Sequence, residues 1–208
     1  MLQIIPALLV AITVVIQCLA VQMSRYRLSR MNARPPHHGL ALMSGMLAAA
    51  AIILRLYQNN SAVGVLFMTI MTGCMTLMTL TDAASCRLPR PFTIMYLISG
   101  SAFRLWQGDW LTGLCSAGFW FLLLLLFRQY TSYRRKTETI GLGDVFLIAG
   151  IAIWSPPGDI PWIVATAAGG ALLYLWCNRQ RRITRELPFG PFLCASQYAF
   201  TFYPGGLW

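Results

Sequence analysis

The chain contains six acidic residues: Asp82, Asp109, Glu138, Asp144, Asp159 and Glu186. Two of them sit where chemistry is plausible. Asp144 lies in "GLGDVFL", at the mouth of an apolar run and beside Gly141 and Gly143. Asp82 ends an earlier apolar run. Carboxylates at the edge of hydrocarbon are costly and mark functional positions. Two carboxylates brought close together resist joint ionisation and share one proton. The ionised member then takes a proton from water while the protonated member polarises a peptide carbonyl. Gly141 and Gly143 have no side chains, so a substrate backbone can approach Asp144. Taken alone, "GLGD" reads better as a loop whose aspartate N-caps the next helix. A second aspartate on the same side turns the reading towards catalysis.

Both aspartates need elements to hold them. Of the 208 residues, 57% are hydrophobic and 11% charged, against roughly a quarter charged in a soluble domain. The apolar residues come in blocks near the roughly 20 residues that cross a bilayer. The expected fold is all-α: a polytopic integral membrane helical bundle of about eight transmembrane segments. The spans fall near residues 2–22, 39–56, 62–81, 91–107, 110–127, 144–160, 161–177 and 191–206. The sixth is weakest, because Ser155-Pro156-Pro157-Gly158 interrupts it. The eighth meets Pro204-Gly205-Gly206. No polar stretch is long enough for a separate soluble domain.

The net charge of +10 is a topology signal. Fourteen of the sixteen basic residues fall in alternate loops, around Arg25–Arg34, Arg87–Arg90, Arg128–Lys136 and Arg179–Arg185. Only Arg55 and Arg104 lie towards the other side. Cytoplasmic loops carry such an excess, so both termini are expected outside. Asp82 and Asp144 then share the cytoplasmic face. The arginines can also touch anionic headgroups of the lipid bilayer. They have no continuous domain to display them to nucleic acid, so no nucleic-acid partner is expected. Glu138 and Glu186 sit among arginines and read as solvated ion pairs. The first apolar stretch has no leading positive charge, so it reads as an uncleaved span.

The cysteines are Cys18, Cys74, Cys86, Cys115, Cys177 and Cys194, with no C-x-x-C pair. Inside apolar spans cysteine is usually a small buried residue. A disulfide framework or zinc site is not expected. His37 and His38 are adjacent in "RPPHHG" and point apart on a helix or strand. They read as part of a solvated loop, and no metal ligands are assigned.

The residues carry a resemblance. "GLGDVFL" resembles the second catalytic motif of the type IV prepilin peptidases, the GxGD membrane aspartic proteases. "DAASCRLPRPFT", from Asp82 to Thr93, resembles their first motif. "LPFGPFL", from Leu187 to Leu193, is similar to a segment near the end of the same proteins. The three stand in the family's order and cover the chain from about residue 62 to 200. The resemblance implies a catalytic pair, Asp82 and Asp144. It implies a prepilin or pseudopilin substrate, whose basic leader is cut on the cytoplasmic side after a glycine, just before an apolar helix. The bacterial inner membrane is the implied location. Pro89, Pro188, Gly190 and Pro191 join Gly141 and Gly143 as candidate substrate-approach positions. Two prolines around a glycine interrupt regular helix, and irregular backbone at membrane depth lines a cavity or is buried by protein. Proline in the first turn of an ordinary helix is the competing reading.

The chain departs from the family at Phe146, where many members carry lysine, and at Arg90, where asparagine is common. Bifunctional members have a tetra-cysteine zinc domain after the first span. Here that loop is "MSRYRLSRMNARPPHHG", without cysteine. The expectation is therefore one membrane-embedded peptidase domain, 1–208: a first span with a reduced loop (1–38) and a catalytic core (39–208). No cofactor is expected, and S-adenosylmethionine enters only if methyl transfer is retained. A presenilin-like protease also uses GxGD, but its Pro-Ala-Leu element is absent. A non-enzymatic transporter or assembly subunit, with Asp82 and Asp144 as a proton or cation relay, is the alternative. Transport predicts polar residues deep in several spans; the spans hold mainly Thr, Ser and Gln, and both aspartates lie at one face.

Overall fold

The computed structural model describes residues 4–30, 38–57, 61–86, 88, 90–135, 141–178 and 187–201. They form eight α-helices: α1 (Ile4–Arg30), α2 (His38–Tyr57), α3 (Ala62–Ser85), α4 (Arg90–Gln107), α5 (Trp110–Arg135), α6 (Leu142–Trp154), α7 (Ile160–Cys177) and α8 (Gly190–Thr201). No strand occurs among the described residues. Three helices, α3, α5 and α7, are long and apolar enough to cross a membrane. Gly39–Ile53 and Leu142–Trp154 are shorter apolar helices.

The helix ends follow local chemistry. Ser61 N-caps α3 by accepting a hydrogen bond from Gly64 N at 3.2 Å. Cys86 closes α3 in a left-handed conformation, φ 50°, and its N–H returns to the carbonyl of Asp82. That turn fixes Asp82 in the last helical turn. α1 and α5 run past their apolar spans to Arg30 and Arg135, since no glycine or proline interrupts either stretch. α6 is shorter than the expected 144–160. Ser155 is extended, φ −106° and ψ 154°, as the residue before a proline prefers. The helix therefore stops at Trp154, after about 20 Å of rise.

α3 is the central helix, packed against α1, α2, α4 and α8. Its Met68, Met71, Met75 and Met78 are buried, and unbranched methionine fills irregular gaps well. α5 and α7 are peripheral and turn apolar faces outward, including Leu122, Phe127, Leu172 and Trp176. Cys18, Cys115 and Cys177 also face outward, whereas Cys74 and Cys194 are buried.

Pairwise contacts give the directions. Thr13 meets Thr69 and Gln17 meets Thr72, so α1 and α3 run parallel. Gly190 meets Asp82 and Tyr198 meets Thr72, so α8 runs antiparallel to α3. Phe121 meets Phe146, while Ala117 packs with Ala152 and Ile153, so α5 runs antiparallel to α6. Arg27 lies over the Phe92 ring, joining the end of α1 to the start of α4. The ends of α1, α3 and α5 thus share one end of the bundle with the starts of α4, α6 and α8.

At the opposite end Arg104 is buried, 4% exposed. Its Nε donates to the Ile153 carbonyl at 2.8 Å and its Nη2 to the Ser155 carbonyl at 3.0 Å. Nη1 reaches Asp109 Oδ2 at 3.3 Å. A Cβ at Gly113 would stand 2.9 Å from Arg104 Cγ, so glycine there lets the side chain cross α5. The guanidinium caps the last carbonyls of α6, which have no partner within the helix. Arg104→Leu leaves both buried acceptors unpaired, each worth about 1–3 kcal/mol. It is expected to lower stability in detergent by about 2–5 kcal/mol, with Arg104→Lys losing less. Equal thermal unfolding of Arg104→Leu and the parent protein contradicts this role.

Candidate active site

Asp82 occupies the last turn of α3 and is 4% exposed. Its Oδ2 accepts a hydrogen bond from Gly190 N at 2.8 Å. Gly190 opens α8, where backbone N–H groups lack intrahelical acceptors. A carboxylate from α3 thereby caps a helix remote in sequence. A Cβ on Gly190 would lie 2.7 Å from Asp82 Oδ2, so this approach requires glycine. The other first-turn donors are also placed. Pro191 has no N–H, and Phe192 N and Leu193 N donate to the Phe189 carbonyl.

Asp144 lies in the first turn of α6, not at its N-cap. Gly141 is the N-cap residue, and Asp144 N donates to the Gly141 carbonyl at 3.1 Å. A carboxylate in a first turn is favoured by the positive end of the helix dipole. The side chain folds back over Gly141, whose Cβ would meet Asp144 Oδ2 at 3.3 Å. Asp144 is half-buried.

The end of α3 and the start of α6 bring the two carboxylates to one end of the bundle, where the charge of Asp82 acts on Asp144. Cys194 is buried within the field of both. Sequence reading passed over Cys194, although it stands four residues beyond Gly190 and so shares a face of α8 with it. Among the described residues no group of three His, Cys, Asp or Glu side chains could hold a metal ion. The arrangement offers two carboxylates and a backbone N–H. Chemically that is equipment for moving protons at a polar bond.

The remaining candidate positions separate. Gly141 and Gly190 abut the carboxylates. At Gly143 the missing side chain makes room for Leu88, whose Cβ would stand 2.8 Å from an added Cβ. Its immediate use is to seat the α3–α4 connection against α6. Pro188 precedes α8 in non-helical backbone, and Pro191 is its second residue. Pro89 lies outside the described residues, as do His37, Glu138, Glu186 and the His38 side chain. Phe146 packs against Phe121, ring centres 5.2 Å apart, so this departure from the common lysine serves the α5–α6 contact. Asp109 and Asp159 begin α5 and α7 at the far end.

An all-helical membrane protein is the class that this fold and composition define. Residues 69–176, just over half of the chain and including both aspartates, match the model of the type IV leader peptidase family. The chain is 33% identical over 175 residues to the prepilin leader peptidase/N-methyltransferase of Burkholderia pseudomallei strain 1026b, and equally to that of strain K96243. The match covers 79% of this chain and 53% of each relative, so the chain spans about half the length of the curated relatives it matches. No solved structure matches it. The chain belongs to the type IV leader peptidase family.

Proposed function

We propose that this protein is a membrane aspartic endopeptidase that removes the basic leader of type IV prepilins or pseudopilins after a glycine. The observation that supports the proposal is the placement of Asp82 in the last turn of α3 and Asp144 in the first turn of α6, at one end of the bundle, within the stretch that matches the family. One proton is shared by the pair. Gly190 N holds Asp82 Oδ2, which leaves Oδ1 to handle water. The ionised carboxylate takes a proton from water as its oxygen adds to the scissile carbonyl carbon. The protonated carboxylate gives its proton to the carbonyl oxygen. When the C–N bond breaks, the first proton passes to the leaving amine and the second returns to the pair.

The eight helices are read as eight membrane passages, with α6 and α8 the short ones. The aspartate end carries Arg25, Arg27, Arg30, Arg90, Arg128 and Arg134, an excess that fits the cytoplasmic side. Both termini then lie outside in the bacterial inner membrane. Peptide cleavage is assigned without a cofactor. Methyl transfer is left out of the proposal, because the loop after α1 has no cysteine.

Co-expression with a prepilin of the same pilus system is the test. The expected product migrates faster by the length of the leader and begins with the residue after the glycine. Reporter fusions near Arg30, Arg134 and Arg182 are expected to signal cytoplasm. An unprocessed prepilin overturns the activity, and an external signal at Arg134 overturns the sidedness of the site.

A further inference from the structure

We propose that Tyr96 is a positioning residue that sets the spacing of the two aspartates, an inference that rests on the peptidase reading above. The aspartates reach the site on separate elements. Asp144 rides on the start of α6, and Asp82 is fastened to the start of α8 through Gly190 N. α6 and α8 meet along only a short seam. α8 packs mainly against α7 and α3, and α6 against α5 and α4, so a side chain of α4 that reaches α8 ties the two together, and Tyr96 does so.

Tyr96 is fully buried, 0% exposed, and touches both helices with different atoms. Its ring fills the space beside Gly150 of α6, where an added Cβ would stand 2.6 Å from Cδ1. Its carbonyl accepts a hydrogen bond from Trp154 Nε1 at 3.1 Å, and the two rings stack at 5.9 Å. Its hydroxyl donates to Gln197 Oε1 of α8 at 2.6 Å. Gly150 lies six residues beyond Asp144 and Gln197 seven beyond Gly190. At 1.5 Å per residue both attachment points lie about 10 Å below the site. Tyr96 is thus a crossbar at one depth, with the pair one level above it. Buried hydrogen bonds of this kind hold one arrangement, because leaving either partner unpaired is costly.

The consequence is kinetic. Two carboxylates that share a proton are active only in the singly protonated state, and closer spacing widens the pH range of that state. Loosening the crossbar lowers turnover and narrows the pH range together. A residue that merely stabilises the fold lowers the amount of folded enzyme and leaves the shape of the profile unchanged.

The experiment uses the full chain in detergent. Its probe is a synthetic peptide with a basic leader, a glycine and an apolar helix. Tyr96→Phe removes only the hydroxyl, and Gln197→Met removes its acceptor at similar volume. Each is expected to lower kcat about tenfold or more, as small misplacements of catalytic groups do, with KM little changed. The two limbs of the pH–rate profile are expected to draw together. The double variant is expected to lose no more than either single one, since both break the same bond. Either variant suffices if the other fails to accumulate. An unaltered kcat per folded enzyme and an unaltered profile in the variant that folds overturn the proposal. Absence of cleavage by the parent protein overturns the peptidase reading itself, which separates the two failures.

Discussion

Asp82→Asn and Asp144→Asn are each expected to abolish prepilin cleavage, by at least about 10³-fold, a loss typical of groups acting as one catalytic unit. The reasoning differs at the two positions. At 82 the amide oxygen of asparagine can still accept from Gly190 N, now held at 2.8 Å by Oδ2. Docking of α8 therefore survives while the proton carrier is lost. Asp82→Ala removes both, and is expected to lower stability as well as activity. At 144 the side chain sits in the first turn of α6 over Gly141, and asparagine fits the same space. The double variant is expected to be no worse than either single one. Asp109→Asn and Asp159→Asn are the controls, because both residues lie at the far end. Asp109 pairs with Arg104 at 3.3 Å but is half-exposed, so its charge contributes little. Both controls are expected to process prepilin within about twofold of the parent. Normal cleavage by a well-accumulated Asp82→Asn or Asp144→Asn protein removes the paired-carboxylate mechanism.

Gly190→Ala is the second large effect, expected to reduce cleavage about 100-fold, as a misplacement near 1 Å does. A Cβ there would stand 2.7 Å from Asp82 Oδ2 and 3.2 Å from Cγ. A real Cβ does not approach a neighbour within 3.0 Å, so something must move. The carboxylate can rotate away, but doing so breaks its hydrogen bond with Gly190 N and moves it from its present position. Alternatively α8 retreats, with the same loss. The change therefore falls on the chemistry with only modest effect on the bundle. Activity per folded molecule is the quantity to measure, beside thermal unfolding. A Gly190→Ala protein that cleaves at the parent rate shows that Asp82 does not need its present contact.

Much of this arrangement is legible in the chain before folding. Asp82 and Asp144 stand out because carboxylates are rare here and one ends, the other opens, an apolar run. The glycines at 141 and 190 stand out because each belongs to a short irregular stretch beside such a run. Hydropathy blocks, with basic loops at every other junction, locate the eight helices of the described residues. Other features are tertiary and leave no periodic mark. Arg104 reads as a charge near the outer end of a span, yet its acceptors, Ile153 and Ser155, lie about fifty positions away. Tyr96 reads as one more aromatic residue in an apolar segment; its meaning depends on Gly150 and Gln197 arriving on opposite sides. Gly143 reads as room for substrate, and only the packed structure shows Leu88 using that room. The end of α6 was misjudged by six residues, because the apolar residues continue beyond the two prolines that stop the helix.

The Arg104 cap also bears on the order in which the protein is made. α4 leaves the ribosome before α6, so the donor is synthesised ahead of the carbonyls it will serve. Asp109, five residues further on, supplies a counter-ion from the same hairpin, and Thr112 Oγ1 donates to the other oxygen of that carboxylate at 2.6 Å. The α4–α5 hairpin thus carries its own ion pair. When the short α6 follows, its unsatisfied carbonyls meet a donor made ready two helices earlier in the chain.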